Sequence, residues 1–175
     1  MRRITVLALL LLVSSCSSGG SPETTTGNPV PGPTTTTQAA IPVDAEPGDK
    51  GTCPYLAVPD VQVINGQKVL FTKVTPGQPQ PSCFFYGLDS LEQLRTYIYV
   101  GDPRVAKALV DRSAPVSTSN PANEPTGWEG GSQATDKGAV YAVAKGGTAV
   151  RVVTNQKQTI KAKRISEAII KNLGL

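Results

Sequence analysis

Histidine is absent from all 175 residues. Every mechanism that needs an imidazole base or an imidazole metal ligand is thereby excluded. Also absent is a phosphate-cradling glycine loop, a metal-ligand cluster or an RNA-binding aromatic motif, so no cofactor and no metal is expected. The length excludes a (β/α)₈ barrel and a two-domain enzyme. It allows one domain, or one domain with a tail. No apolar run reaches the roughly 20 residues a spanning helix needs.

What the sequence does contain begins with an address. Arg2 and Arg3 form a positive start, and the ten residues from Ile4 to Val13 are apolar apart from Thr5. That length suits the core of a signal peptide. The paired arginines lack the hydrophilic surroundings of a twin-arginine signal, which favours the general secretory route. Val13-Ser14-Ser15-Cys16 follows. It resembles the bacterial lipobox, in which the signal is cut ahead of the cysteine and the thiol receives a diacylglycerol. On that reading residues 1–15 are a lipoprotein signal peptide and Cys16 is the lipidation site. The plainer alternative is an ordinary secretory signal with a chance cysteine. Two acyl chains hold stably where one holds reversibly, at about 0.8 kcal/mol per buried methylene. The expectation is a protein anchored to the cell membrane by palmitate-type chains and facing the extracytoplasmic space.

Residues 16–49 read as a disordered tether. Threonine fills positions 24–26 and 34–37, proline falls at 22, 29, 31, 33, 42 and 47, and no aromatic residue is present. Such a segment buries too little apolar surface to offset its ordering entropy. As a coil it would reach roughly 30 Å, with a contour near about 110 Å. Its threonine runs suit either a plain spacer or O-glycosylation. Glu23, Asp44, Glu46 and Asp49 make the tether −4, while Lys50 onward carries +6. An anionic surface or acidic polymer would attract that basic part, although modest charge also serves solubility alone.

Residues 50–175 read as a single globular domain. In an exported chain, the two cysteines left after Cys16, Cys53 and Cys83, most simply pair with each other. Val61–Ile64, Asn65-Gly66 and Gln67–Val74 suggest a hairpin, since Asn-Gly suits a type I′ turn. Ser82–Tyr86 and Thr96–Val100 read as strands, and Asp89–Glu92 as a capped helical turn. Asp102-Pro103 opens a helix over Arg104–Arg112. Ala139–Lys145, Gly146-Gly147 and Thr148–Thr154 predict a second hairpin. Ile165, Ala168, Ile169 and Leu173 form one stripe on a helix over 159–173, with Gly174 as its stop. The fold class expected is α+β: an antiparallel sheet with hairpins and packed helices.

Between Ser113 and Gly138 lies a long irregular stretch, of a length that is usually functional or disordered. It holds the only tryptophan, Trp128, followed by Glu129. Trp128 suits either a sugar- or peptide-stacking platform or a plug for the core. Asn123-Glu124-Pro125 copies the acid/base tripeptide of some retaining glycosidases, which also need a second carboxylate about 5 Å away. A Ser–Lys dyad fits the composition, but no motif nominates a pair. Lys161, Lys163 and Arg164 make the last helix basic, either to meet headgroups or acidic polymer or simply as a solvated face. Trp128, Glu129, Lys161, Lys163 and Arg164 are thus the candidate ligand or partner surface.

Several segments carry a family resemblance: CPYL at 53–56, CFFY at 83–86, YVGDPRVAKALVD at 99–111, NPANEPTGWEGG at 120–131, GAVYAVAKGGTAVRVVTNQ at 138–156 and QTIKA at 158–162. Together they resemble the actinobacterial lipoproteins that carry domain of unknown function 2020. The resemblance implies an envelope lipoprotein and no particular activity, so no catalytic residue is carried over. The function expected is a non-enzymatic interaction or scaffold module. The alternatives are a carrier or sensor of an apolar or glycan ligand, and, more remotely, a small hydrolase. The partners expected are the membrane, through the lipid, and an envelope protein, lipid or glycan. Export argues against nucleic acid.

Overall fold

The computed structural model describes residues 40–42, 44–77 and 80–175. The signal peptide, Cys16 and most of the tether lie outside the described residues. Eight strands form one sheet: β1 (Asp49–Lys50), β2 (Phe71–Val74), β3 (Cys83–Tyr86), β4 (Glu92–Val100), β5 (Asn120–Ala122), β6 (Glu129–Thr135), β7 (Gly138–Lys145) and β8 (Thr148–Thr154). Their order is β1-β2-β3-β4-β8-β7-β6-β5, and every neighbouring pair is antiparallel. Among the described residues, three helices complete the domain: α1 (Val58–Asn65), α2 (Pro103–Ser113) and α3 (Thr159–Leu173). This is the α+β architecture expected from the sequence. No helix among the described residues is long and apolar enough to cross a membrane.

Strand alternation sends side chains to two faces. One face brings Phe85, Leu94, Ile98, Val143, Val150 and Val152 against Ile165 and Ile169 of α3 and Val61 of α1. The opposite face brings Ala142 and Ala149 against Ala106, Leu109 and Val110 of α2. Methyl-sized residues beneath α2 let that helix sit close. α2 rests on β6, β7 and β8. Among the described residues, no helix packs on the same face of β1–β4.

The Cys53–Cys83 disulfide is formed, tying the segment before α1 to the start of β3 across a separation of 30 residues. The Asp102 carboxylate caps α2, accepting from Arg104 N at 2.8 Å, and Pro103 opens its first turn. α3 ends where Gly174 turns left-handed at φ 64°.

Four local expectations are corrected. Val61–Ile64 is helical, not the first arm of a hairpin. Gly66 does adopt φ 75°, but as the terminator of α1, donating its N–H to Gln62 O. A left-handed residue closes a helix as readily as it closes a two-residue turn, and Val61 is drawn into the α3-side core. Asp89–Glu92 is not a helical turn. It joins β3 to β4, with Asp89 Oδ1 accepting from Leu91 N at 3.0 Å and Ser90 at φ 62°. The stretch 113–138 is not irregular throughout, since it supplies β5 and β6. Finally, the packed structure starts ahead of Lys50. Ile41 packs on the α2-side cluster, and Asp49 pairs with Val74.

Candidate functional site

Register places a row of side chains across the face of β1–β4 on which no helix of the described residues packs. Lys50 stands opposite Lys73, Lys73 opposite Phe84, and Phe84 opposite Arg95. Three cations thus share one row with a single aromatic ring. Two residue pairs along, on the same face, Phe71 faces Tyr86, and their rings stack with centroids 4.6 Å apart and 15° between planes.

The cations lie over these rings. Lys50 Nζ is 4.8 Å from the Phe71 centroid, and Lys73 Nζ is 5.8 Å from that of Tyr86. The Arg95 guanidinium carbon is 5.8 Å from the centre of Phe84. Each such contact is worth about 0.5–1 kcal/mol at an exposed position. Arg95 also pairs with Glu92, Nε to Oε1 at 2.5 Å. Neither Lys50 nor Lys73 has a carboxylate within 4.0 Å among the described residues. Desolvation, and then the charge of Glu92, push the Tyr86 phenol above its usual 10.0, against the pull of Arg95.

Like charges placed directly opposite each other on a sheet are destabilising. The Lys50–Lys73 pair, with no carboxylate within 4.0 Å among the described residues, breaks that local rule and is offset in part by the contacts with the Phe71 and Tyr86 rings. Such breaks concentrate at functional surfaces. Phe84 itself is buried, so the arrangement presents the ammonium groups together with the half-buried Phe71 and Tyr86 rings.

The residues singled out from the sequence do not assemble into one surface. Trp128 is 2% exposed and belongs to the α3-side core, so its ring is not open to a sugar or peptide. Glu129 is exposed and lies on the other side, in a groove of about 350 Å³ shared with Lys107, Asp111 and Val116. Lys161 Nζ donates to Asn65 O at 2.8 Å and Gln156 Oε1 at 3.1 Å, which closes the end of α1. Lys163 pairs with Glu124 and, at 3.9 Å, with Glu167. Arg164 is exposed with no carboxylate within 4.0 Å among the described residues. Glu124 therefore faces α3 while Glu129 faces α2, and the sheet separates the two carboxylates. No group of three carboxylates or thiols among the described residues converges to hold a metal ion.

Lys50, Lys73 and Arg95 escaped the sequence reading. A signal was present: Phe71/Lys73, Phe84/Tyr86 and Arg95/Tyr97 each alternate at i, i+2. Only the register brings the three pairs side by side.

Fold and site together define an α+β domain with three helices among the described residues and a cationic and aromatic face on β1–β4. The chain belongs to the family described as Domain of unknown function (DUF2020), which matches residues 36–175. The match takes in the packed segment ahead of Lys50. No curated protein matches the chain.

Proposed function

We propose that this protein is a lipid-anchored envelope lipoprotein of an actinobacterium, held at Cys16. Its extracytoplasmic domain acts as a non-enzymatic interaction module. The Lys50, Lys73, Phe71 and Tyr86 side of the sheet is the contact surface. The observation that carries this reading is the Lys50–Lys73 row, without a carboxylate within 4.0 Å among the described residues, beside stacked Phe71 and Tyr86. A basic face of this kind suits a partner with negative charge.

A second reading draws on the groove beneath α2. Val110, Ala114, Val116 and Ala144 give it apolar walls, with Lys107, Asp111 and Glu129 at its margin. That combination suits a carrier of a small ligand with one polar end.

Photo-crosslinking in intact cells tests the first reading. A crosslinker at position 86 is expected to capture an envelope component, and Lys50→Glu with Lys73→Glu is expected to abolish the capture. A crosslinker at Asp136, in the β6–β7 turn, serves as the reference. Capture indifferent to the two charge reversals would overturn the assignment of the face. Cys16→Ala is expected to release the protein to the soluble fraction, and unchanged retention would overturn the anchor.

A further inference from the structure

Arg151 occupies the middle of the sheet, between Tyr97 of β4 and Ala142 of β7. Its side chain is only 9% exposed. A guanidinium cannot shed its proton, so its burial calls for an anion. Asp44 supplies one, with Oδ1 accepting from Arg151 Nη1 at 2.8 Å. The same oxygen lies 3.6 Å from Arg112 Nη2. Arg112 Nη2 also donates to Pro42 O at 2.7 Å. Two arginines therefore grip one short segment just ahead of β1.

The grip is charge-imbalanced. Two guanidinium groups face one carboxylate, and that carboxylate is half exposed. The buried Arg151 Nε has no hydrogen-bond partner among the described residues. Asp44, Arg112, Ser113 and Arg151 bound an open depression of about 420 Å³. Fastening a half-exposed strap does not require a buried cation, since apolar contact does the same work without the desolvation cost. Two forks of N–H donors, fixed by a strand and a helix and one negative charge short, form a receptor for a tetrahedral oxyanion.

We propose that Arg112 and Arg151 form a binding site for a phosphate-type group, with Asp44 as its built-in competitor. Entry of the ligand displaces the Asp44 carboxylate and lifts the segment before β1 from the sheet. That segment also walls a depression of about 530 Å³ beside Thr75, Tyr97 and Tyr99, so its departure uncovers part of β4. This inference is independent of the partner assigned to the Lys50–Lys73 face.

The test uses the purified full-length chain and inorganic phosphate, with chloride at equal ionic strength as the reference. Calorimetry gives the affinity, and amide hydrogen exchange over residues 44–50 reports the segment. Phosphate is expected to raise exchange there in the unaltered protein. Asp44→Asn is expected to bind phosphate about tenfold tighter or more, the worth of a charge-assisted hydrogen bond no longer competing. Arg112→Gln, at a partly exposed position, is expected to lose the binding. Equal affinity in Asp44→Asn and the unaltered chain, or undiminished binding in Arg112→Gln, would overturn the proposal. Should Asp44→Asn fail to fold, exchange over 44–50 that phosphate leaves unchanged in the unaltered chain overturns it equally.

Discussion

The Thr154 hydroxyl donates to Asn65 Oδ1 at 2.6 Å in the interior, across 89 residues of sequence. Asn65 Nδ2 in turn donates to Gln67 Oε1 at 2.9 Å and Gln93 Oε1 at 3.2 Å. Lys161 Nζ reaches the Asn65 carbonyl. One side chain, with its own backbone oxygen, thereby joins the end of α1 to β4, β8 and α3.

Asn65→Ala is expected to cost about 2–3 kcal/mol, because it leaves buried Thr154 and Gln93 groups short of partners. Urea unfolding of the variant against the unaltered protein measures this. A loss under about 0.5 kcal/mol, the ordinary scatter of surface substitutions, would contradict it.

The same residue shows where sequence reasoning reaches its limit. Asn65-Gly66 correctly marks a reversal that needs a left-handed residue, and Gly66 takes that conformation. Whether the preceding residues are helix or strand depends on Val61 and its partners across the domain, which local pattern does not contain. By contrast, β7, β8 and α3 were legible, since long periodic runs declare themselves. β6 was hidden by its composition, Glu-Gly-Gly-Ser-Gln-Ala-Thr. A side chain on Gly130 would meet Ala142 O at 2.0 Å, so close pairing with β7 demands the residue that erases the strand signal. Of the site, the alternation of aromatic and basic residues was visible, but the rows they form were not. Asp44 reads as tether because proline-rich surroundings conceal its arginine partners on α2 and β8.

Reduction of Cys53–Cys83 is expected to lower stability by about 3.5–4 kcal/mol through the loop it closes. Chemical unfolding with and without reductant measures it. Coincident midpoints would count against a contribution from the bond.

Trp128 is the sole tryptophan, so fluorescence reports its surroundings directly. Emission is expected to be blue-shifted, with acrylamide quenching slight until the chain unfolds. Trp128→Ala is expected to cost about 3–5 kcal/mol as a large core truncation. Emission typical of a solvated indole in the folded protein would contradict its buried position.

Asp44 gives the fold an acid-sensitive point. Burial acts to raise its carboxyl, but the hydrogen bond from Arg151 and the charges of Arg151, Arg112 and Arg95 outweigh it. The group is held below its usual 3.8. A lowered folded-state value means that the ionised form favours the clamped state. Its contribution is therefore complete above about pH 5, and is lost as pH falls through the lowered value. Exchange at residues 44–50 is expected to rise in that acid range, ahead of the sheet amides. Asp44→Asn is expected to show raised exchange already at neutral pH, with no further step from this group. Identical pH profiles for the two proteins would contradict the clamp.

The outermost strands carry one further consequence. An open sheet has two margins where a second molecule can add its own backbone. Here β1 is two residues long, and β5, at the opposite margin, is three residues long with Pro121 at its centre, which has no amide hydrogen to offer. Neither outermost strand offers a long run of backbone to a second molecule, which disfavours strand-by-strand addition at the β1 and β5 margins.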